Sequence, residues 1–271
     1  DHPRTSMADR LRFRKAEDLM QSGDYMSAID AFRQYIRISN NQQLLPDAWF
    51  NLANAYEQTQ KMSSAIDAYR TVVDSYPESE RAAASLAALG RIAYQNGRYE
   101  ESYDYFSKLA EGAPRFRLEA FIGMADARLS TGDVDEAEEL YKKALSLNSD
   151  YDPAKLGLGR VALGRGNFAG AEDRFSLIAE RNTTAIGAEA QYLLGVTRQR
   201  QQQFEEALKA YADVKILYEA FDNWVAKALL KSAECYIQLG NKGEARNTLN
   251  SIIENYPGTY EAKQARQMLQ S

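Results

Sequence analysis

The side chains able to do covalent or metal chemistry are few. Cys235 is the single cysteine and His2 the single histidine among 271 residues. One cysteine forms no intrachain disulfide. A histidine in an end expected to fray gives Cys235 no base to activate it. Cys235 therefore reads as a small core residue of an apolar helix, and a His-rich metal site is excluded. Gly157-Leu158-Gly159-Arg160-Val161-Ala162 matches the G-x-G-x-x-A dinucleotide fingerprint. That fingerprint needs a preceding strand and a βαβ unit, and the repeat frame derived below puts these residues inside a helix. The run Asp133, Asp135, Glu136, Glu138 and Glu139 reads as a solvated face near a helix N-terminus, with a cation site as the alternative. Arg10, Arg12, Arg14 and Lys15 read as the solvated face of a first helix or as a contact for a partner's acidic surface. Asn182-Thr183-Thr184 has the pattern of a glycosylation acceptor. No paired Ser/Lys motif and no metal-ligand spacing occur, so the expectation is a protein that is not an enzyme and carries no cofactor.

Composition narrows the class. The hydrophobic fraction is 45%, prolines number six, and 17 tyrosines with 10 phenylalanines supply large bodies for packing, so the chain is expected to fold. The 33 Lys and Arg stand against 38 Asp and Glu, a net charge of −5 that disfavours nucleic acid as a partner. No apolar run reaches the roughly 18 residues that span a bilayer, so no insertion into a membrane is expected. The chain opens Asp1-His2-Pro3 instead of on a methionine, so upstream sequence is expected to have been removed.

The elements that must position any binding residue recur at a fixed period. A small residue followed four positions later by a large apolar one appears as Ala28/Phe32, Ala65/Tyr69, Ser102/Phe106, Ala137/Tyr141, Ala171/Phe175, Ala207/Tyr211 and Ala245/Leu249. Successive anchors are 37, 37, 35, 34, 36 and 38 residues apart. The small residue lets two helix backbones approach, and the large one fills the gap toward the next unit. Neither helix buries its apolar face alone. Gly23, Gly97, Gly132, Gly166 and Gly240 mark the end of the first helix in five units, where a left-handed cap suits glycine. Gln60 and Gln202 take that place in the second and sixth units, so those turns are expected to be less favourable.

The stretch Trp49-Phe50-Asn51-Leu52-Ala53-Asn54-Ala55-Tyr56, then Ala65-x-x-x-Tyr69, then Pro77, has the spacing W-x2-L-[G/A]-x2-Y, A-x3-[F/Y], P. It resembles the tetratricopeptide repeat, a pair of antiparallel helices. The resemblance covers residues 8 to 270 and implies an all-α fold: a right-handed α-solenoid of about seven helix pairs in one domain. The units fall at 7–39, 46–77, 80–114, 115–150, 152–183, 184–219 and 222–257, with a capping helix at 259–270 that places Ser271 near the natural end of the array. Gly157, Gly159, Gly164 and Gly166 make the fifth unit the least helix-favouring, so the array is expected to bend or open there. Trp224 is expected at the joint of units six and seven.

The resemblance also implies a function. In this family the first helices line a concave face that binds peptides or proteins. Carried over by register, position 5 contributes Phe13, Phe50 and Tyr192, and position 6 contributes Asn51. Position 9 contributes Glu17, Asn54, Arg91, Asp126, Arg160 and Glu234. Position 12 contributes Glu57, Tyr94 and Gln199. For each, packing against the adjacent unit is the competing role. A groove so lined suits an extended peptide or a helix. The family's clamp for a C-terminal carboxylate is missing, only Asn51 fitting its pattern. The alternative function is a spacer arm of a longer solenoid with little ligand affinity. Ser75-Tyr76-Pro77-Glu78-Ser79 and Asn255-Tyr256-Pro257-Gly258-Thr259 are similar to a phrase of bacterial cell-envelope repeat proteins, including outer-membrane assembly lipoproteins and Tol-Pal-associated proteins. That likeness implies the bacterial periplasm or cell envelope, with the cytoplasm as the alternative.

Overall fold

The computed structural model describes residues 3–39 and 41–270, with side chains from residue 7 onward. His2 and the start of the Asn40–Leu45 connection lie outside the described residues, as does Ser271. Among the described residues there are fifteen α-helices, one short 3-10 turn at Pro114–Phe116 and no strand. The chain divides into two compact units, one ending at Asp133 and the other beginning at Val134.

The first unit holds α1 (Pro3–Gln21) and α2 (Tyr25–Ile38), α3 (Leu45–Gln58) and α4 (Met62–Ser75), α5 (Glu80–Gln95) and α6 (Tyr99–Gly112), and then α7 (Arg117–Thr131). The second holds α8 (Val134–Leu147), α9 (Asp152–Gly164) with α10 (Phe168–Arg181), α11 (Ala185–Arg200) with α12 (Phe204–Leu217), α13 (Asp222–Gln238) with α14 (Lys242–Asn255), and α15 (Tyr260–Gln270). Within each unit every helix packs on the next. The first helices also touch one another in order, α1 to α3 to α5 to α7 and α9 to α11 to α13 to α15. This is the expected all-α helical repeat, with α15 in the place of the cap.

One turn geometry closes all seven first helices. Gly23, Gln60, Gly97, Gly132, Gly166, Gln202 and Gly240 all have positive φ, between 58° and 89°. In each case the N–H of that residue bonds three residues back and the next N–H bonds five back, as in Gly97 to Tyr94 (2.9 Å) and Arg98 to Ala93 (2.9 Å). The first helix thus ends in a two-bond cap that satisfies its last carbonyls and sets the entry of the second helix. Gln60 and Gln202 adopt it without the freedom of glycine.

Ring seats explain the glycines inside helices. A Cβ on Gly195 would lie 2.4 Å from the Tyr211 ring, one on Gly159 2.4 Å from Phe175, and one on Gly90 2.7 Å from Phe106. The same Phe106 ring would meet a Cβ on Gly123 at 2.3 Å, and Tyr141 one on Gly157 at 2.2 Å. The Phe106 ring is thus clamped between its own first helix, α5, and the following one, α7. α9 runs unbroken from Asp152 to Gly164, and Gly157 and Gly159 offset their poor helix propensity by admitting two rings at close range.

The two Tyr-Pro phrases are local helix-start devices. The Ser79 hydroxyl accepts from the Ala82 N–H at 3.1 Å, and the Thr259 hydroxyl from the Ala262 N–H at 3.1 Å. The acceptor-like Asn182 is also structural. Its amide nitrogen donates to Asp152 (2.9 Å), while its oxygen accepts from the Thr184 N–H (2.9 Å) and hydroxyl (2.6 Å).

Candidate functional site

The register residues of the first unit lie on α1, α3, α5 and α7, and the structure gives them unequal roles. Phe13 is 7% exposed and sits edge-on to Phe32 (5.9 Å) and Tyr35 (5.4 Å). This corrects its assignment as a contact residue: the α1 face turns it into the core, so its role is packing. Glu17 is half-buried, and burial lifts its carboxyl above the ordinary range, with Asp47 adding repulsion and Arg81 opposing it. Arg81, at the start of α5, reaches back to Asp47 (2.5 Å) and stacks on Phe50 at 5.0 Å. Asn51 is half-buried beside them on α3.

A polar relay follows. The Tyr69 hydroxyl, from α4, shares its one proton between the Asn54 side-chain oxygen (2.5 Å) and a Glu57 carboxylate oxygen (2.6 Å). Burial pushes its ionisation far above the ordinary tyrosine range, and the Glu57 carboxylate adds to the shift. Glu57 in turn accepts both bonds of the exposed Arg91 on α5, at 2.9 and 3.0 Å. The Tyr94 hydroxyl lies 3.0 Å from that of Ser130 on α7, and Asp126 is half-buried on the same helix.

The second unit repeats the relay with other residues. The Tyr211 hydroxyl donates to Gln199 (2.7 Å), whose amide donates to Glu234 on α13 (3.0 Å), and Lys231 holds Glu234 at 2.8 Å. Arg160 on α9 pairs with Glu189 on α11. Tyr192 lies between Tyr211 (5.9 Å) and Trp224 (5.5 Å), and Lys227 covers the Trp224 ring at 4.2 Å. Trp224 therefore stands at the joint of the sixth and seventh helix pairs, as its place in the sequence implies. Burial pushes the Tyr192 hydroxyl up to about 12, with Glu234 and then Glu261 contributing. Glu261 itself is 7% exposed.

Four residues of this face lay outside the register positions carried over: Arg81, Glu189, Trp224 and Lys227. Arg81 and Trp224 precede the repeat signature. Each stands at the start of its first helix and leans on the aromatic of the preceding unit, Phe50 or Tyr192. An Arg or Trp five or six residues after the closing Tyr of the previous unit was the available signal.

Chemically the face offers aromatic surface, amides and paired charges, with no nucleophile beside a base. Cys235 is fully buried, and burial pushes its thiol up to about 11. The fingerprint glycines lie inside α9. In the acidic run, Arg165 holds Asp135 and Glu138, and Lys142 holds Glu138 and Glu139 at 3.0 Å. No group of acidic, His or Cys side chains among the described residues could hold a metal ion. No helix among them is long and apolar enough to cross a membrane.

Comparison with known proteins agrees with the helix pairs. Three matches to the tetratricopeptide repeat family cover residues 13–80, 128–195 and 188–257. The chain is 28% identical over 173 residues, 62% of its length, to the cellulose synthase 1 operon protein C of Komagataeibacter xylinus. It spans only 12 to 28% of the length of the curated relatives it matches. A solved tetratricopeptide repeat protein from Parabacteroides merdae superposes with a TM-score of 0.81 at 18% identity, covering 97% of this chain and 98% of that one. PilW, described as a type IV pilus biogenesis factor, superposes with a TM-score of 0.53 at 19% identity over 95% and 97% of the two chains.

Proposed function

From a chain that belongs to the tetratricopeptide repeat family, we propose a non-catalytic scaffold that binds a peptide or protein partner along the face of its first helices. The observation that carries this reading is the relay described above. In both units a buried tyrosine hydroxyl fixes a polar residue that ties to the next first helix: Tyr69 to Glu57 to Arg91, and Tyr211 to Gln199 to Glu234. Side chains held this way lose little entropy when a ligand arrives. Beside them stand Phe50 with Asn51 in the first unit and Tyr192 with Trp224 in the second, aromatic anchors of the kind that dominate interfaces.

The same ties support a second reading. Glu57, Arg91, Gln199 and Glu234 are satisfied within the chain, as they would be in a spacer arm with little ligand affinity. The two readings separate on photocrosslinking. A photoreactive residue at Asn51 or Tyr192 captures a partner under the scaffold reading, and one at the second-helix positions Lys143 or Asn250 does not. Capture only from Lys143 and Asn250 refutes first-helix binding, and no capture from any of the four supports the spacer. A bacterial envelope setting fits the Tyr-Pro phrases and the likeness to a pilus biogenesis factor. Fractionating cells that express the full-length protein tests it: recovery in the cytoplasmic fraction overturns that setting.

A further inference from the structure

Away from the register residues of the first helices, α2 and α4 flank a groove of about 410 Å³. Its floor is α3, which offers Trp49, Leu52 and Tyr56. Trp49 and Tyr56 belong to the repeat signature and carry a packing role, yet both remain part-exposed here. None of Phe50, Asn51, Asn54 or Glu57 lines this groove, so it is distinct from the face discussed above.

The charge on its rim is asymmetric. On the α2 wall, Arg33 and Arg37 stand one turn apart and flank Ile36. Both are exposed, and neither holds a carboxylate, a carbonyl or a ring among the described residues. That sets them apart from Arg70, Arg81, Arg91 and Arg165, each of which is paired with an acid. The α4 wall supplies one acid, Asp67, which forms no ion pair with either guanidinium group among the described residues. Two forked donors side by side over an aromatic floor match carboxylates flanking an apolar side chain. A neutral or basic ligand would leave both guanidinium groups unused.

We propose that this groove is a second binding site, which takes an acidic peptide segment carrying one apolar side chain. The carboxylates engage Arg33 and Arg37, and the apolar side chain rests on Trp49 and Tyr56. The site does not depend on the first-helix reading and survives its failure.

Trp49 is the built-in reporter. With Trp224→Phe in place, Trp49 is the only tryptophan left. Titrating this protein with an acetylated Asp-Glu-Leu-Asp-Glu peptide is expected to change Trp49 emission saturably, with an affinity that falls as salt rises. Adding Arg33→Ala with Arg37→Ala is expected to weaken binding at least tenfold while the circular dichroism stays unchanged, because both side chains are exposed. The Asn-Gln-Leu-Asn-Gln peptide is expected not to bind. An equal response to the neutral peptide, unchanged affinity in the double variant, or no saturable response overturns the proposal. So does sedimentation showing a dimer that the arginine substitutions dissolve, since the occupant is then a second copy of the chain.

Discussion

Gln60→Gly and Gln202→Gly are expected to stabilise the protein, and the structure contains the control. The seven first-helix turns are superposable in their hydrogen bonds. At Gln60 they measure 2.9 and 2.8 Å, at Gln202 2.9 and 3.0 Å, and at the glycine of Gly97 2.9 and 2.9 Å. Both glutamines are exposed, so replacing them removes no packing. What differs is φ, 58° at Gln60 and 61° at Gln202. Left-handed backbone costs an L residue roughly 1–2 kcal/mol. Glycine gives back about 0.5–1 kcal/mol through the greater freedom of its unfolded chain. The net expectation is a gain of about 0.5–1 kcal/mol for each substitution and a loss of similar size for Gly97→Gln. Because repeat arrays unfold in parts, the sharper assay is hydrogen exchange at the capping amides. Slower exchange at Lys61, which donates to Tyr56, is expected in Gln60→Gly, and at Gln203 in Gln202→Gly. Urea midpoints should rise with it. A midpoint that stays put or falls in both variants refutes the claim that left-handed strain separates the two kinds of turn.

Gly195→Ala and Gly90→Ala should lower thermal stability by about 1–3 kcal/mol each through overpacking, because the new methyl meets the Tyr211 or Phe106 ring below 3 Å. Gly243→Ala, with nothing within 4 Å, should be neutral or slightly stabilising. Stability should fall as pH rises from about 10 to 12: the unfolded chain ionises its tyrosines near 10, while burial holds the folded Tyr192 proton to about 12, so the unfolded state binds fewer protons across that window. Absorbance titration would show Tyr69 and Tyr211, whose ionisation burial pushes higher still, ionising only as the fold is lost. Cys235 should alkylate at pH 8 at least about a hundredfold more slowly than in urea, since its thiol sits near 11 against an ordinary 9; labelling at the unfolded rate would mean that α13 opens freely.

Backbone rules were legible where a residue type answers to its own φ or to one neighbour. The glycine and glutamine turns recur with the period of the Ala/aromatic anchors, because one cap geometry serves every unit. The Tyr-Pro phrase needed only its Ser or Thr to cap the following helix. The face of the first helices was legible as a register but not in depth. Position 5 places Phe13 in the core, yet the same position leaves Phe50 and Tyr192 half-buried under Arg81 and Trp224. Phe13 packs against Phe32 and Tyr35 of its own unit, whereas Phe50 and Tyr192 each also meet the residue that starts the next first helix, Arg81 or Trp224. That residue precedes the signature, and the identity at position 5 carries no trace of it. The charged positions resist reading for a related reason. Glu57 and Arg91 are 34 residues apart and meet only because α3 and α5 stack. Register made each a ligand contact taken alone, and stacking makes them first a contact with each other. Under the scaffold reading, a partner on this face would have to displace or share those pairs, and its strongest hold would fall on the aromatic surfaces left between them.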